Sequence, residues 1–451
     1  MRNRALLLAL ALAAAAAVRA EDYDIGADFA QPAAWSQAGA AFVAAHRANG
    51  FRFLESGREN AANAPRRGGV RFHGLEVYET RIWFAGAGVS RLELSLYNRG
   101  DADSPLAAAD LGDMLARVRK LLDAAPAGTG VVPSPRVEAK NLGDGVQQRT
   151  QSWRAPQPAQ LVWRARRLAG GRSETDFVRL TLLPPGGGQP ASAAKSAGRA
   201  SIRANVVKVA AADADDRRKD GDVFVDHVPM VDQGEKGYCA VATCERVLRY
   251  YGLDVDEHEL GASAGSTASG GTSAKAMYET VSAIAKKHGL GTYLVYGELD
   301  KGVGERIDGL EKKVADYNKA AKKLRKPEIA RSQYVHGSVW DHSAAQAAMD
   351  PEVLRYMKTK LPAYRGFLKA LHDQVNAGVP LVWSVTLGLF PEPDIPQASG
   401  GHMRLVIGYN DKSKEIIYTD SWGAGHEYKR MPVDVAWSIA NSVLYIKPNR
   451  K

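Results

Sequence analysis

The chain has 451 residues, 45% of them apolar and 24% charged, and a net charge of +10. These proportions exclude wholesale disorder and collagen-like repeats, and the length leaves room for two or three domains with sizeable cores. Its two cysteines, Cys239 and Cys244, are too few for a disulfide scaffold or a four-thiolate zinc site.

Residues 1–20 read MRNRALLLALALAAAAAVRA. Arg2 and Arg4 form a basic segment, Ala5 to Val18 an apolar run, and Val18 and Ala20 the small residues of a cleavage site. This is the pattern of a secretory signal peptide, which predicts a secreted or periplasmic protein. The 14 apolar residues fall short of the roughly 20 that span a bilayer, and no other run is as long. The mature chain is therefore expected to carry no transmembrane span. The basic excess is diffuse and comes with no recognition motif, so no nucleic-acid partner is expected.

Residues 21–183 alternate helical and strand patterns, which predicts an α+β N-terminal domain. Ala33–Arg47 fits a short helix, and Leu106–Ala124 a longer one with Leu111, Leu115, Val118 and Leu122 on one face. Glu76–Ala85, Val89–Tyr97, Leu161–Leu168 and Asp176–Leu183 fit strands. In the second of these, Leu92, Leu94 and Leu96 alternate with Arg91, Glu93 and Ser95. No residue pattern here points to chemistry. A binding module, an inhibitory propeptide and a structural partner all stay open. The basic balance of this part also allows a weak attraction to an anionic cell envelope, or a protein partner. Residues 184–222 read as a flexible linker. Pro184–Ser201 is rich in Pro, Gly, Ala and Ser, and Ala210–Asp222 is strongly charged.

The chemistry lies in residues 223–451. From Cys239 onward a helical period places Val241, Cys244, Val247, Leu248 and Tyr251 on one face, and Gly252 stops it. Cys239 thus sits at the first turn of a helix, where the positive end favours the nucleophilic thiolate. Cys244, further in, is expected to be an inert packed thiol, and both cysteines are expected to stay reduced. Gln233 lies six residues before Cys239 in a polar loop. An amide there is placed to donate to a developing oxyanion beside the Cys239 N–H. Ser273–His288 fits a helix, and the charged stretch Glu298–Tyr364 is helix-rich, with a Lys-rich solvated helix over Gly309–Lys326.

Val379–Leu387 is an apolar strand, followed by the loop Gly388–Gly401. His402–Tyr409 and Glu415–Thr419 then fit a hairpin around the polar turn Asn410–Lys414. Residue 411 is midway between His402 and Asp420, so the hairpin is expected to set those two side chains opposite one another. His402 then reads as a base and Asp420 as the group that orients it. The remaining histidines show no metal-ligand spacing, and no metal or organic cofactor is implied.

Gln233-x5-Cys239, the GGH ending at His402 and the run Asp420-Ser421-Trp422-Gly423 together resemble the papain-like superfamily of cysteine peptidases. With Asp at position 420 and the motif DQG-x4-YC, the chain is most similar to the bacterial branch related to the double-glycine-leader, bacteriocin-processing peptidases. The resemblance covers about residues 223–448. It implies an α+β papain-like catalytic domain, a nucleophile helix packed on an antiparallel sheet, with a helical insertion at about 298–364. It implies Cys239 as nucleophile, His402 as base and acid, Asp420 as orienting residue and Gln233 as oxyanion donor. Trp422 resembles the aromatic that shields the His402–Asp420 hydrogen bond beside the substrate cleft. Gly270 and Gly271 resemble the glycine edge that pairs with substrate backbone.

The reaction so implied is hydrolysis of a peptide or protein substrate through a thioester. Two other readings stay open. A Cys-His-Asp acyl transferase or amidase shares the thioester, and a non-catalytic peptidase-like binding module shares the fold.

Overall fold

The computed structural model describes residues 22–65, 68–102, 104–123, 135–143, 145–154, 157–186, 221–234, 238–253, 255, 257–264, 274–297, 299, 303–336, 339–340 and 342–449. The expected signal peptide, most of the expected linker, and Gly270 and Gly271 lie outside the described residues.

Hydrophobic burial among the described residues gathers into two large clusters, each on its own sheet. The first sheet has eight antiparallel strands. In spatial order they are Arg52–Glu55, Arg58–Ala64, Glu79–Ala85, Gly88–Asn98, Ser173–Leu182, Ala159–Arg167, Val146–Trp153 and Glu138–Gly143. Leu92, Leu94 and Leu96 are fully buried, as their alternation predicts. The helix Ala108–Asp123 buries Leu115, Val118 and Leu122 in the same core.

Two expectations need correction here. Ala33–Arg47 is not one helix but two, Pro32–Trp35 and Gly39–Ala45. The chain breaks at Ser36 so that both Trp35 and Phe42 reach the core, where Trp35 Nε1 donates to the Phe29 carbonyl at 2.9 Å. Glu76 belongs to a separate two-residue strand, Leu75–Glu76, which pairs with Val70–Phe72.

The second sheet has seven strands. Six run in the order Leu290–Tyr296, Ala440–Pro448, Leu381–Leu387, Gly400–Asn410, Glu415–Thr419 and Lys429–Pro432. The seventh, Asp222–Phe224, pairs with the far end of Gly400–Asn410. That pairing needs a glycine at 408, because a Cβ there would stand 2.6 Å from the Val223 carbonyl oxygen and from Phe224 Cβ. The helix Cys239–Tyr250 packs on this sheet, and Thr243 Oγ1 donates to the Met403 carbonyl at 3.0 Å. Between the Leu290–Tyr296 and Leu381–Leu387 strands lie the helices Val303–Leu324, His342–Ala347, Pro351–Thr359 and Pro362–Asn376. The helix-rich reading of that stretch holds. The first of these helices is amphipathic, with Tyr317 and Ala321 buried and Lys322 exposed.

The helix Cys239–Tyr250 is buried nearly all round. Its period predicts one apolar face, yet Glu245 and Arg246 are buried too. Arg246 is covered by segments of its own half, at Pro229 and Thr419, whereas Glu245 is covered by the first sheet. Glu79 and Arg81 stand on the face opposite Ile82, and that polar face is covered by the Cys239 helix and its neighbour Glu257–Ala264. Arg81 lies 2.9 Å from Glu79 and 3.5 Å from Glu245, and Glu79 lies 3.3 Å from His258. Asn98 Nδ2 donates to Tyr238 Oη at 3.0 Å and contacts His258 Nδ1 at 2.8 Å. The Tyr238 ring, one residue before Cys239, fits where Gly100 has no side chain; a Cβ on Gly100 would overlap the phenol at 1.3 Å.

Candidate active site

Three segments converge, and each is held by an identifiable bond. The loop at Asp232–Gln233 is joined to the segment after Asp420. Asp232 forms a backbone bridge with Trp422, and Gln233 N–H donates to the Ser421 carbonyl at 2.8 Å. The helix begins at Cys239, so that its thiol sits at the helix start, partly exposed. The hairpin brings in His402 and Asp420, both buried.

His402 Nε2 lies 2.8 Å from Asp420 Oδ1. The other ring nitrogen, Nδ1, is buried without a hydrogen-bond partner, and the nearby Cys239 thiol acts on the ring electrostatically. Burial alone opposes a charged imidazole, but the bond to Asp420 and the influence of the nearby Cys239 thiol outweigh it and raise the His402 pKa above the ordinary imidazole value. His402 therefore keeps its proton to a higher pH than a free imidazole does. For Asp420, burial favours the neutral acid, but the bond to His402 and the charge of Arg404 prevail and hold the carboxyl below the usual range. The pair is thus biased towards imidazolium and carboxylate. Trp422 stacks on the His402 ring, with centroids 4.2 Å apart and planes within 4°. That stack excludes water from the His402–Asp420 bond.

Gln233 is buried, and its Oε1 accepts from Ser421 Oγ at 2.6 Å. The bond engages the carbonyl end of the amide and turns the NH2 end away from Ser421. Neither cysteine is in a disulfide. Cys244 is buried, and burial pushes its thiol up to about 12, which keeps it protonated and inert. Among the described residues no group of three His, Cys, Asp or Glu side chains is arranged to hold a metal. No helix among them is long and apolar enough to cross a membrane.

The hairpin register differs from the expectation. Leu405 pairs with Thr419 and Val406 with Tyr418, while Gly408 pairs with Ile417, so an extra residue bulges at Ile407. Continued towards the open end, this register sets Arg404 beside Asp420 and Trp422 beside His402. His402 reaches Asp420 on the diagonal through its side chain, not across the strands. The symmetric count centres the hairpin on residue 411, whereas Asn410 pairs with Glu415 and the turn is centred between 412 and 413, which is why the count pairs the wrong backbone positions.

Three further residues hold the site, and the motif reading passes over them. Arg246 lies two turns after Cys239 on its helix. It donates to the Asp420 carbonyl, to Thr419 Oγ1 and to the Pro229 carbonyl, each at 2.7 Å. Burial lowers its pKa to about 10, so it remains charged near neutrality. Arg404 Nε donates to Asp420 Oδ1 at 2.8 Å, sharing that oxygen with His402. Glu392, in the loop 388–399, lies 2.8 Å from Arg404 Nη1. The available signal for Arg404 is strand periodicity, because residues 402 and 404 share a face.

Residues 307–444 match the model of the Peptidase_C39 like family. The match contains His402 and Asp420 and begins after Cys239 and Gln233. Among solved structures, the chain is similar to xylellain, a cysteine protease from Xylella fastidiosa. That likeness has 22% identity over 18% of this chain and a TM-score of 0.16, and the chain spans 37% of xylellain's length. It is also similar to a double glycine motif protease from an AMS/PCAT transporter in complex with its leader peptide. That likeness has 14% identity over 51% of this chain and 97% of the protease, and a TM-score of 0.24. No curated protein matches the chain.

Proposed function

We propose that the chain is an exported cysteine peptidase that hydrolyses peptide bonds through Cys239, His402 and Asp420. The observation that carries this reading is the His402 ring. It is bonded to Asp420, it sits under Trp422, and Asp420 and Cys239 together raise its proton affinity. The match of residues 307–444 to a peptidase family supports it.

In this reading a Cys239 thiolate attacks the scissile carbonyl carbon. The carbonyl oxygen takes up the displaced electron pair and is stabilised by the Gln233 amide and the Cys239 N–H. As the C–N bond breaks, imidazolium His402 gives its proton to the leaving amine, leaving an acyl thioester. Neutral His402 then takes a proton from water, whose oxygen attacks the thioester and returns the thiolate. Asp420 holds the ring in the tautomer that these transfers need.

The test is a positional-scanning peptide library, digested by the wild type and by Cys239→Ala at equal concentration. The expected result is cleavage by the wild type and loss to background in Cys239→Ala, with no change in circular dichroism. No cleavage by the wild type sinks the reading. Transfer of the acyl group to an added amine in preference to water replaces it with an acyl transferase. Export rests on residues 1–20, and N-terminal sequencing of the mature protein is expected to begin at Glu21.

A further inference from the structure

Asp420 is fully buried, and a lone carboxylate there would grip the His402 proton hard. Coulomb attraction strengthens as water is removed, and an imidazolium held too tightly is a poor acid towards a leaving amine. The surroundings of Asp420 address this. Arg404 is the only Lys, Arg, Asp or Glu in the strand Gly400–Asn410, and its side chain is fully buried. Its Nε donates to Oδ1, the same oxygen that holds His402 Nε2. The guanidinium lies over the Tyr418 ring at 4.8 Å, which fixes its plane. On its far side Nη1 meets Glu392, whose Oε2 also accepts from Tyr418 Oη at 2.9 Å. A cation is thus shared between the orienting carboxylate and a loop that leads into His402.

We propose that Arg404 is a positioning residue that offsets the charge of Asp420 and so sets how tightly His402 holds its proton, with Glu392 dividing Arg404 between two carboxylates. The proposal rests on the peptidase reading for its catalytic meaning, but the charge compensation is a property of the side chains themselves. The other charged or titratable groups facing the pair are Cys239 and Arg246 from the nucleophile helix, Lys429 from the edge strand, and His426, packed on Trp422. None of these touches Asp420 Oδ1. Arg246 bonds the Asp420 backbone, not its carboxylate. Removing Arg404 therefore exposes His402 to the full charge of Asp420. Removing Glu392 gives Arg404 wholly to Asp420. The two substitutions act on His402 in opposite directions.

The test is the ring titration of His402 in the full chain, followed by histidine-labelled NMR and assigned against His402→Gln. Arg404→Met is expected to raise the His402 pKa by about 1 or more. Glu392→Gln is expected to lower it, and Arg404→Met with Asp420→Asn to return it close to wild type. An unchanged or lowered His402 pKa in Arg404→Met overturns the proposal, as does a double variant that stays where the single one was. If Arg404→Met does not fold, Glu392→Gln decides alone, and an unchanged or raised pKa there overturns the proposal. Peptide turnover on the same samples separates the two claims. The expected shifts without wild-type turnover keep the charge compensation and remove the peptidase, whereas turnover without the shifts does the reverse.

Discussion

The two large sheets are both antiparallel, yet they use their polar residues in opposite ways. In the second sheet the buried polar groups converge on one place, where His402, Arg404 and Asp420 share a carboxylate oxygen. In the first sheet the buried polar groups lie along a face, with Glu79 and Arg81 turned towards the other half of the molecule. One arrangement makes the proposed reactive centre. The other makes a seam, and what the seam grips is the Cys239 helix, through Glu245 on its side and Tyr238 at its start. A sheet outside the proposed site can thus still fix where the Cys239 helix lies.

That comparison is most severely tested by deleting residues 21–200. If the first sheet is structural support, the deletion uncovers the charged flank of the Cys239 helix. Turnover is then expected to fall by about 100-fold or more, because breaking one buried ion pair already costs about 3–5 kcal/mol. A rise in turnover would instead make this region an inhibitory propeptide, and unchanged turnover would make it a separate module. A finer cut is Arg81→Met, which leaves Glu79 and Glu245 buried with less compensation. It is expected to lower stability by about 3 kcal/mol in urea unfolding. Loss of less than about 1 kcal/mol would mean that the seam is not energetically closed. The smallest effect is expected from Arg52→Ala. Arg52 pairs with Asp232 beside Gln233 but is half-exposed, and Asp232 also accepts from Gly234 N–H at 2.9 Å. Less than about 1 kcal/mol should be lost. The change should show in kcat and not KM, because the segment it steadies carries the proposed oxyanion donor.

The centre was far more legible in the sequence than the seam. A cysteine at a helix start, a hairpin histidine and an aspartate before Ser-Trp-Gly are unusual in combination, and all three meet. The Trp422 stack was likewise in reach. The first sheet is legible only in part because four of its strands carry little apolar signal. Val146–Trp153 reads VQQRTQSW, and every residue of Glu138–Gly143 is exposed. Glu245 and Arg246 look like the solvent side of an amphipathic helix, and only a partner covering that side makes them interior. Such burial depends on contacts between segments far apart in the chain, so local periodicity does not contain it. Arg404 was hidden for a related reason. Strand periodicity places it on the His402 face, but its meeting with Asp420 depends on the register.

That register has a consequence of its own. The extra residue at Ile407 works as a phase shifter between the two ends of the hairpin. Its carbonyl leaves the ladder and accepts from Val225 N–H at 2.7 Å, so the offset is locked by a neighbouring segment. On the turn side of Ile407 the strands keep one alignment, and on the open side they keep another. A length change of one residue here would swing His402 and Arg404 together to the opposite surface of the sheet, while leaving every side chain of the motif in the sequence. Chains that spell the same Cys, His and Asp but differ in length between 403 and 419 would then differ in whether those letters ever meet.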